Sequence, residues 1–452
     1  MANENEKVKL GEQQAQALEE IREFLLGDDF AFCLYGSAGT GKSFLVKQII
    51  KLVSSMKKQY CLVAPTHKAA LVMRSYTGER ADTLHYLLAL SPNLEILKLD
   101  LNQLEFQSKS SEFIPIKGVV ICDEASMIND DLYDILIEKC SELNTKVIFC
   151  GDIKQLQPVE GRNYSKVFQL KNRFELTKIY RQKDGSAIAP LLLELRDDVI
   201  GDIETKESEH GSLYVYDDIK EYADQMVRCF KEGIERQDVL YAKALAYTNN
   251  RVAEYNRVMH QLVFGKAPYY KGEILTAYSN FNGKRTKFFN SMDYIIAEEP
   301  VTTEAYVKDL RETFLVHMLT LKDPLSGFSD VVYMMDKNND EEKFDMLAAE
   351  VEGIRVKALN STGKRKSMFW SMYFRLTETF VLPLDLYYEG RMVMKKGLDY
   401  GYAITVHKSQ GSSISKTFVD LRDIRKQKIR DELRQLEYVA LSRASGDVFI
   451  YE

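Results

Sequence analysis

The sequence predicts an α/β protein built from two parallel-sheet blocks, with a small hairpin inserted in the first and a β-rich segment inserted in the second. Three observations carry that expectation. Short apolar runs (AFCLYG, YCLVAPT, GVVICDEAS, KVIFCGD) alternate with helical stretches such as SFLVKQIIKLVSSMKK and DDLYDILIEKCSEL over the first 180 residues, the pattern of a parallel sheet covered on both faces. A second strand–helix pair, KALAYTNNRVAEYNRVMHQLVF, follows beyond Arg181. Between residues 276 and 394 the pattern turns strand-like (DYIIAEEP, TFLVHMLTL, DVVYMM), then charged and helical (DKNNDEEKFDMLAAEVEGIRVKAL), then basic (STGKRKSMFWSMYF).

The first block spans 1–85 and 116–180. Residues 86–115 (YLLALSPNLEILKLDLNQLEFQSKSSEFIP) break it, because they carry turn formers and no helical stripe. They are read as a small hairpin subdomain. The second block spans 181–275, resumes at 395 and runs to 452, with 276–394 as its insertion. At roughly 100–200 residues per domain, 452 residues accommodate this division.

Composition narrows the function. Apolar residues make up 45% and charged residues 28%, an ordinary globular balance. With 61 Lys and Arg against 67 Asp and Glu the net charge is −6, so a polycationic wrapper of duplex DNA is disfavoured while a locally basic groove is not. No apolar run approaches the ~20 residues that span a bilayer, and MANENEKVKLGEQ has no apolar signal core. A soluble cytoplasmic protein is expected. The six cysteines are too few for a disulfide scaffold. Cys33, Cys61, Cys122 and Cys150 fall in the apolar runs and are expected as small buried hydrophobes. The absence of CxxC and the scattered histidines argue against structural zinc.

The strongest chemical signal is GSAGTGKS, between the AFCLY strand and the FLVKQII helix. It matches G-x-x-x-x-G-K-[ST] in the context that pattern requires. Gly36, Ser37, Ala38, Gly39, Thr40 and Gly41 would curl backbone N–H groups around phosphate oxygens. Lys42 would reach the β- and γ-phosphates, and Ser43 would hold Mg²⁺. In VVICDEAS, Asp123 and Glu124 stand at the C-terminal end of a buried strand, where open α/β sheets bind ligands. Asp123 is the second candidate for Mg²⁺, and Glu124 suits activation of water. Gln155, in FCGDIKQLQPV, is placed to meet the γ-phosphate or that water.

Taken together, LGEQQ, GSAGTGKS, APTHKAA, ADTLHYLL, ICDEAS, GDIKQLQPV, LTKIYRQ, AYTNNRV, YAITVHKSQGSS and YVALSRA resemble, in order and over essentially the whole chain, the motifs of superfamily 1B DNA helicases of the RecD-like branch, especially the phage Dda-type enzymes. The resemblance implies two RecA-like domains, a pin at 86–115 and an SH3-like domain with its tower at 276–394. It implies ATP and Mg²⁺ as cofactors, and Arg181 and Arg443 as arginine fingers. Gln14 would read the adenine, with Gln13 the alternative because Leu10-Gly11 replaces the usual Leu-Thr. Tyr180 would stack on the base, and Gly411 would lie beside the nucleotide. Translocation 5′→3′ on single-stranded DNA is likewise an implication of the resemblance.

A single-strand track needs phosphate contacts that do not read sequence. Its candidates are Pro65, Thr66, His67 and Lys68; Thr83 and His85; Tyr247, Thr248 and Asn249; and Thr405, His407, Lys408 and Ser409. Phe106 is the preferred strand-separating wedge, Phe113 its alternative, and Pro92 a neighbouring DNA contact. Trp370, beside Lys364, Arg365 and Lys366, would stack a base, contact the pin or sit in a core. Expected partners are single-stranded and forked DNA, with single-strand-binding or replisome proteins beyond them. Both halves of the nucleotide cleft lie in one chain, so a monomer suffices. The rival readings are a translocase that strips proteins without unwinding, and an ATP-gated DNA-binding or loading module.

Overall fold

A computed structural model describes residues 10–92, 106–108, 118–156, 165–178, 186–195 and 200–452. The first lobe is a six-stranded sheet in the order Ala81–Thr83, Tyr60–Ala64, Val119–Cys122, Lys146–Gly151, Ala31–Gly36, Arg173–Leu176. Every neighbouring pair is parallel. Strand side chains alternate between faces. Phe32 and Leu34 enter one core with the helices Glu12–Leu26, Lys42–Ser55 and His67–Thr77, whereas Ala31 and Cys33 enter the other with Asp130–Glu142. Burial on both faces explains why these strands read as continuous apolar runs. Cys33, Cys122 and Cys150 are buried as expected, but Cys61, near the start of its strand, is half-buried.

The second lobe is a five-stranded parallel sheet in the order Ala403–Thr405, Ala242–Ala246, Ile414–Asp420, Ala444–Tyr451, Leu213–Tyr216. Leu245 faces one core, and Ala242, Ala244 and Ala246 the other. Alanines keep the second face shallow enough for the large rings of Tyr222, Phe230, Phe418 and Phe449.

An antiparallel sheet in the order Val301–Val307, Glu312–Lys322, Asp293–Ile296, Ile274–Ala277, Leu398–Tyr400 lies between two halves of that lobe, and Ser329–Met335 also pairs with Glu312–Lys322. Its first and last strands begin before 276 and end after 394, because Ile274–Ala277 and Leu398–Tyr400 pair with each other and close the insertion. Helices Glu341–Leu359 and Gly363–Thr377 pack on it. A buried ion pair ties insertion to lobe: Lys243 Nζ lies 2.9 Å from Asp293 Oδ1, Lys243 also donates to the Gly401 carbonyl, and Thr276 donates to Asp293.

In the 86–115 segment, Leu90–Pro92 pairs antiparallel with Phe106–Ser108, placing Pro92 opposite Phe106 in register. The side chains of Pro92 and Phe106, and all of Phe113, lie outside the described residues. None of the helices among the described residues is long and apolar enough to cross a membrane.

Candidate nucleotide site and nucleic-acid track

The P-loop joins Ala31–Gly36 to the helix Lys42–Ser55. Its glycines are dictated by geometry. A Cβ on Gly36 would fall 2.5 Å from the Leu176 carbonyl oxygen, and Gly41 has φ +83°, a left-handed conformation that disfavours a side chain. Thr40 is buried and donates to the Ser37 carbonyl at 2.8 Å. Lys42 folds back on the loop, donating to the carbonyls of Gly36 at 2.6 Å and Ser37 at 3.0 Å. Ser43 stays exposed in the first helical turn.

Asp123 leaves the end of Val119–Cys122. Its Oδ1 accepts the Glu124 N–H at 2.9 Å and its Oδ2 accepts the Tyr76 hydroxyl at 2.7 Å. Glu124 has φ +53°, an uncommon conformation for a non-glycine residue that turns its carboxylate into the cleft. Burial and then the charge of Asp123 push the Glu124 carboxyl up, against the opposing pull of Arg443 and Lys42.

The opposite wall comes from the second lobe. A cavity of about 360 Å³ is lined by P-loop residues Ala38, Gly39, Gly41, Lys42 and Ser43, by Asp123, Glu124 and Gln155, and by Gly411, Ser412 and Arg443 across the cleft. Gly411 has φ +74°, and a Cβ there would stand 3.8 Å from Glu124 Oε1. Arg443 is buried; its Nη1 lies 3.5 Å from the Ser412 carbonyl and its Nη2 donates to Ser442 Oγ at 3.1 Å. Its Nε has no hydrogen-bond partner among the described residues. A buried guanidinium with an unused donor facing a cleft suits an anion. Gln155 is buried, with Nε2 3.5 Å from Asp152 Oδ2.

Tyr438 and Asp152 also organise this cleft, although neither is a residue type that its motif alone marks as functional. Tyr438, in YVALSRA, accepts the Ala38 N–H at 2.7 Å and donates to Asp152 Oδ2 at 3.0 Å. It therefore links the second lobe to both the P-loop and the GDIKQ turn. Their motif membership was the only available signal. Arg181 and Tyr180 lie outside the described residues. The two glutamines divide their work: Gln14 is buried and accepts the Gly11 N–H at 3.1 Å, capping its own helix. Gln13 instead donates to Thr177 Oγ1 at 2.7 Å and accepts from the N–H groups of Thr177 and Lys178.

Some of the track candidates meet across the lobes: Lys68 reaches the Lys408 carbonyl and His67 reaches the insertion. Pro65 and Thr66 precede the helix His67–Thr77. His67 stacks on Phe289 of the insertion, with ring centroids 4.3 Å apart. Lys68 Nζ lies 3.5 Å from the Lys408 carbonyl, and Lys408 Nζ sits 3.4 Å from the centre of the Tyr278 ring, with Lys396 4.0 Å from the same ring. Burial lowers the Lys68 ammonium to about 8 and the Lys408 ammonium to about 7, the latter with help from Lys395, Lys396 and Lys68. Burial also holds His67, His85 and His407 below the usual imidazole range. His407 lies 6.2 Å from the Tyr247 ring, and Asn249 is exposed at the start of Asn249–Val263.

The threonine hydroxyls separate by direction. Thr66 and Thr405 accept backbone N–H groups, from Ala69 and Lys408, which leaves each O–H free to donate. Thr83, the buried cap of Leu84–Leu87, likewise accepts the Tyr86 N–H at 3.2 Å. Two other hydroxyls are spent on local structure. Ser409 is fully buried and donates to the Val406 carbonyl at 2.7 Å. Thr248 donates to the Asp423 carboxylate at 2.9 Å. Trp370 is half-buried against Tyr373 and Phe374, at 5.5 and 6.0 Å, on a helix whose Lys364 and Arg365 are exposed.

Two parallel-sheet lobes closing a P-loop cleft define a P-loop nucleoside triphosphatase with both halves of its site in one chain. Comparison with known proteins narrows the class. An AAA domain model matches residues 9–218 and a UvrD-like helicase C-terminal domain model matches residues 400–451. The ATP-dependent DNA helicase dda of Enterobacteria phage T4 is 27% identical over 445 residues, covering 92% of each chain. The ATP-dependent RecD2 DNA helicase of Deinococcus radiodurans is 32% identical over 174 residues, covering 38% of this chain and 22% of the relative. The crystal structure of Bacteroides Pif1 bound to ssDNA shares the fold, with TM-score 0.51, 17% identity, and coverage of 98% of this chain and 92% of that one. Over most of its length the chain is therefore similar to superfamily 1B helicases.

Proposed function

We propose that this chain is an ATP-driven DNA helicase that moves 5′→3′ along single-stranded DNA and separates the duplex ahead of it. The observation that carries this reading is the two-sided cleft: Lys42 and Glu124 on one lobe, Gly411 and Arg443 on the other. A triphosphate held between them draws the lobes together. Because Lys68 and Lys408 sit on the same two lobes, closure shortens the distance between two grips on a threaded strand. Phage T4 dda, similar over 92% of both chains and named as an ATP-dependent DNA helicase, supports the reading.

Within the cleft each residue has a task. The P-loop amides and Lys42 hold the phosphates. Ser43 and Asp123 offer only oxygen ligands, and among the described residues no group of three or more His, Cys, Asp or Glu side chains is arranged to hold a metal ion by itself. Such a set fits Mg²⁺ shared with phosphate oxygens rather than caged by protein. Mg²⁺ would supply charge neutralisation across the β- and γ-oxygens. Glu124 takes the proton of the attacking water, Gln155 orients that water, and Arg443 meets the charge that develops on the transferred phosphoryl group. Arg181 is proposed as a second finger, Tyr180 as the base-stacking ring and Gln14, with Gln13 as alternative, as the adenine reader. Pro92 and Phe106 are proposed at the strand-separating pin. Trp370 is proposed to face DNA or the pin from the insertion.

Thermodynamic linkage requires DNA and ATP to alter each other's affinity, so single strands should stimulate turnover. The test is unwinding of duplexes with a 5′ or a 3′ tail, with ATP hydrolysis recorded alongside. Unwinding restricted to 5′-tailed substrates supports the reading. ATP turnover on single strands without strand separation indicates a translocase, and DNA binding gated by ATP without turnover indicates a loading module.

A further inference from the structure

The helix His67–Thr77 touches both active regions of the molecule. Its N-terminal end carries Thr66, His67 and Lys68 at the track. Its last turns present Val72 and Tyr76 to the nucleotide cavity, in line with Ala69 at i, i+3 and i+7, one stripe of a helix. Ala69, Ala70 and Met73 are buried against the sheet, and Leu71 packs into the core of the antiparallel insertion, so the helix is held along its length. At 1.5 Å per residue, its 11 residues span about 16 Å.

Tyr76 ends this rod on Asp123. Its hydroxyl donates to Oδ2 at 2.7 Å, while Oδ1 takes the Glu124 N–H. Each oxygen therefore has one fixed donor, and the carboxylate plane has one orientation.

We propose that Tyr76 is a positioning residue that sets the Asp123 carboxylate for the metal and, through its helix, reports occupancy of the single-strand track to that carboxylate. The proposal rests on the nucleotide-site reading above and adds a residue and a route that the motifs do not contain.

The direct test is equilibrium binding of a fluorescent ADP while Mg²⁺ is titrated, with and without a thymidine oligonucleotide. In the native chain the oligonucleotide should shift half-saturating Mg²⁺ by at least about fivefold, the lower end of ordinary coupling between sites. Tyr76→Phe keeps the ring and removes the hydroxyl. It should raise half-saturating Mg²⁺ about three- to tenfold and reduce the oligonucleotide shift below about twofold. Placed on Asp123→Asn, the same change should add nothing, because its effect runs through that carboxylate. An unchanged Mg²⁺ titration in Tyr76→Phe, an undiminished oligonucleotide shift, or a native chain indifferent to the oligonucleotide overturns the proposal. Lys42→Ala separates this from the site reading: normal nucleotide binding and turnover in that variant refute the site itself, whatever Tyr76 does.

Discussion

Tyr438 and Ala38 join the two lobes through one hydrogen bond: the P-loop amide of Ala38 donates to the Tyr438 hydroxyl at 2.7 Å. The same hydroxyl donates to Asp152, beside Gln155. The phenol lies in the helix that ends in Arg443, so the position of the finger and the shape of the P-loop are bound together. Tyr438→Phe removes both bonds and leaves the buried Asp152 without that donor. At about 1 kcal/mol per bond, DNA-stimulated ATP turnover should fall roughly thirtyfold, with a smaller change in nucleotide affinity. Steady-state kinetics at saturating oligonucleotide, set beside a nucleotide titration, measures both.

Arg443 should matter to chemistry more than to binding. Its Nε, without a hydrogen-bond partner among the described residues, and its place opposite Glu124 suit charge that appears only in the transition state. Arg443→Ala should lower kcat about 10³-fold, in the range for arginine fingers, while fluorescent nucleotide still binds. A loss confined to affinity would assign the side chain to ground-state binding.

Lys68 and Lys408, proposed as grips on the strand, should set a pH dependence. Lys408 and Lys68 are lowered to about 7 and about 8, each by burial first. Around Lys408 stand Lys395, Lys396 and Lys68, with Asp385 opposing; around Lys68 stand Lys243 and Arg443, with Asp293 opposing. A phosphodiester favours the charged ammonium, so DNA binding takes up protons. Affinity should be greatest below pH 7 and fall as pH rises through 7 to 8, by up to about tenfold per pH unit for each titrating lysine. Fluorescence anisotropy of a labelled oligonucleotide from pH 6 to 9 reads the slope, and Lys408→Met should flatten it.

Stability of the second lobe should depend on the pair it shares with the insertion. Lys243 and Asp293 are 1% and 6% exposed. Asp293→Ala strands a buried ammonium and should cost about 3–5 kcal/mol, visible as an early transition in denaturant. Replacing both partners with apolar residues should recover much of that loss.

The legible part of the molecule was the part written locally. GSAGTGKS, ICDEAS and YVALSRA each place a backbone turn and a polar side chain within a few residues, so Lys42, Asp123, Glu124 and, through the family resemblance, Arg443 stand out as candidates, and the structure brings these four to one cavity. The parallel strands were legible because burial on both faces leaves continuous apolar runs. Tyr438 escaped because its partners, Asp152 and Ala38, lie 286 and 400 positions away. Tyr76 escaped because its partner lies 47 positions away and in no shared motif. Ser409 and Thr248 were of the right chemical type for a track, but a hydroxyl's direction is set by the local turn, and residue type does not reveal it. The insertion's edges shifted by a few residues because closure of its sheet depends on pairing between Ile274–Ala277 and Leu398–Tyr400.

Nucleotide closure of the two-lobed cleft is proposed to drive movement along a single strand. Strand separation on 5′-tailed and 3′-tailed forks, with ATP turnover monitored in the same reaction, tests it most directly. Unwinding of the 5′-tailed fork alone, abolished together with turnover in Lys42→Ala, is the predicted result. Unwinding that persists in Lys42→Ala, or ATP turnover indifferent to any oligonucleotide, would contradict it.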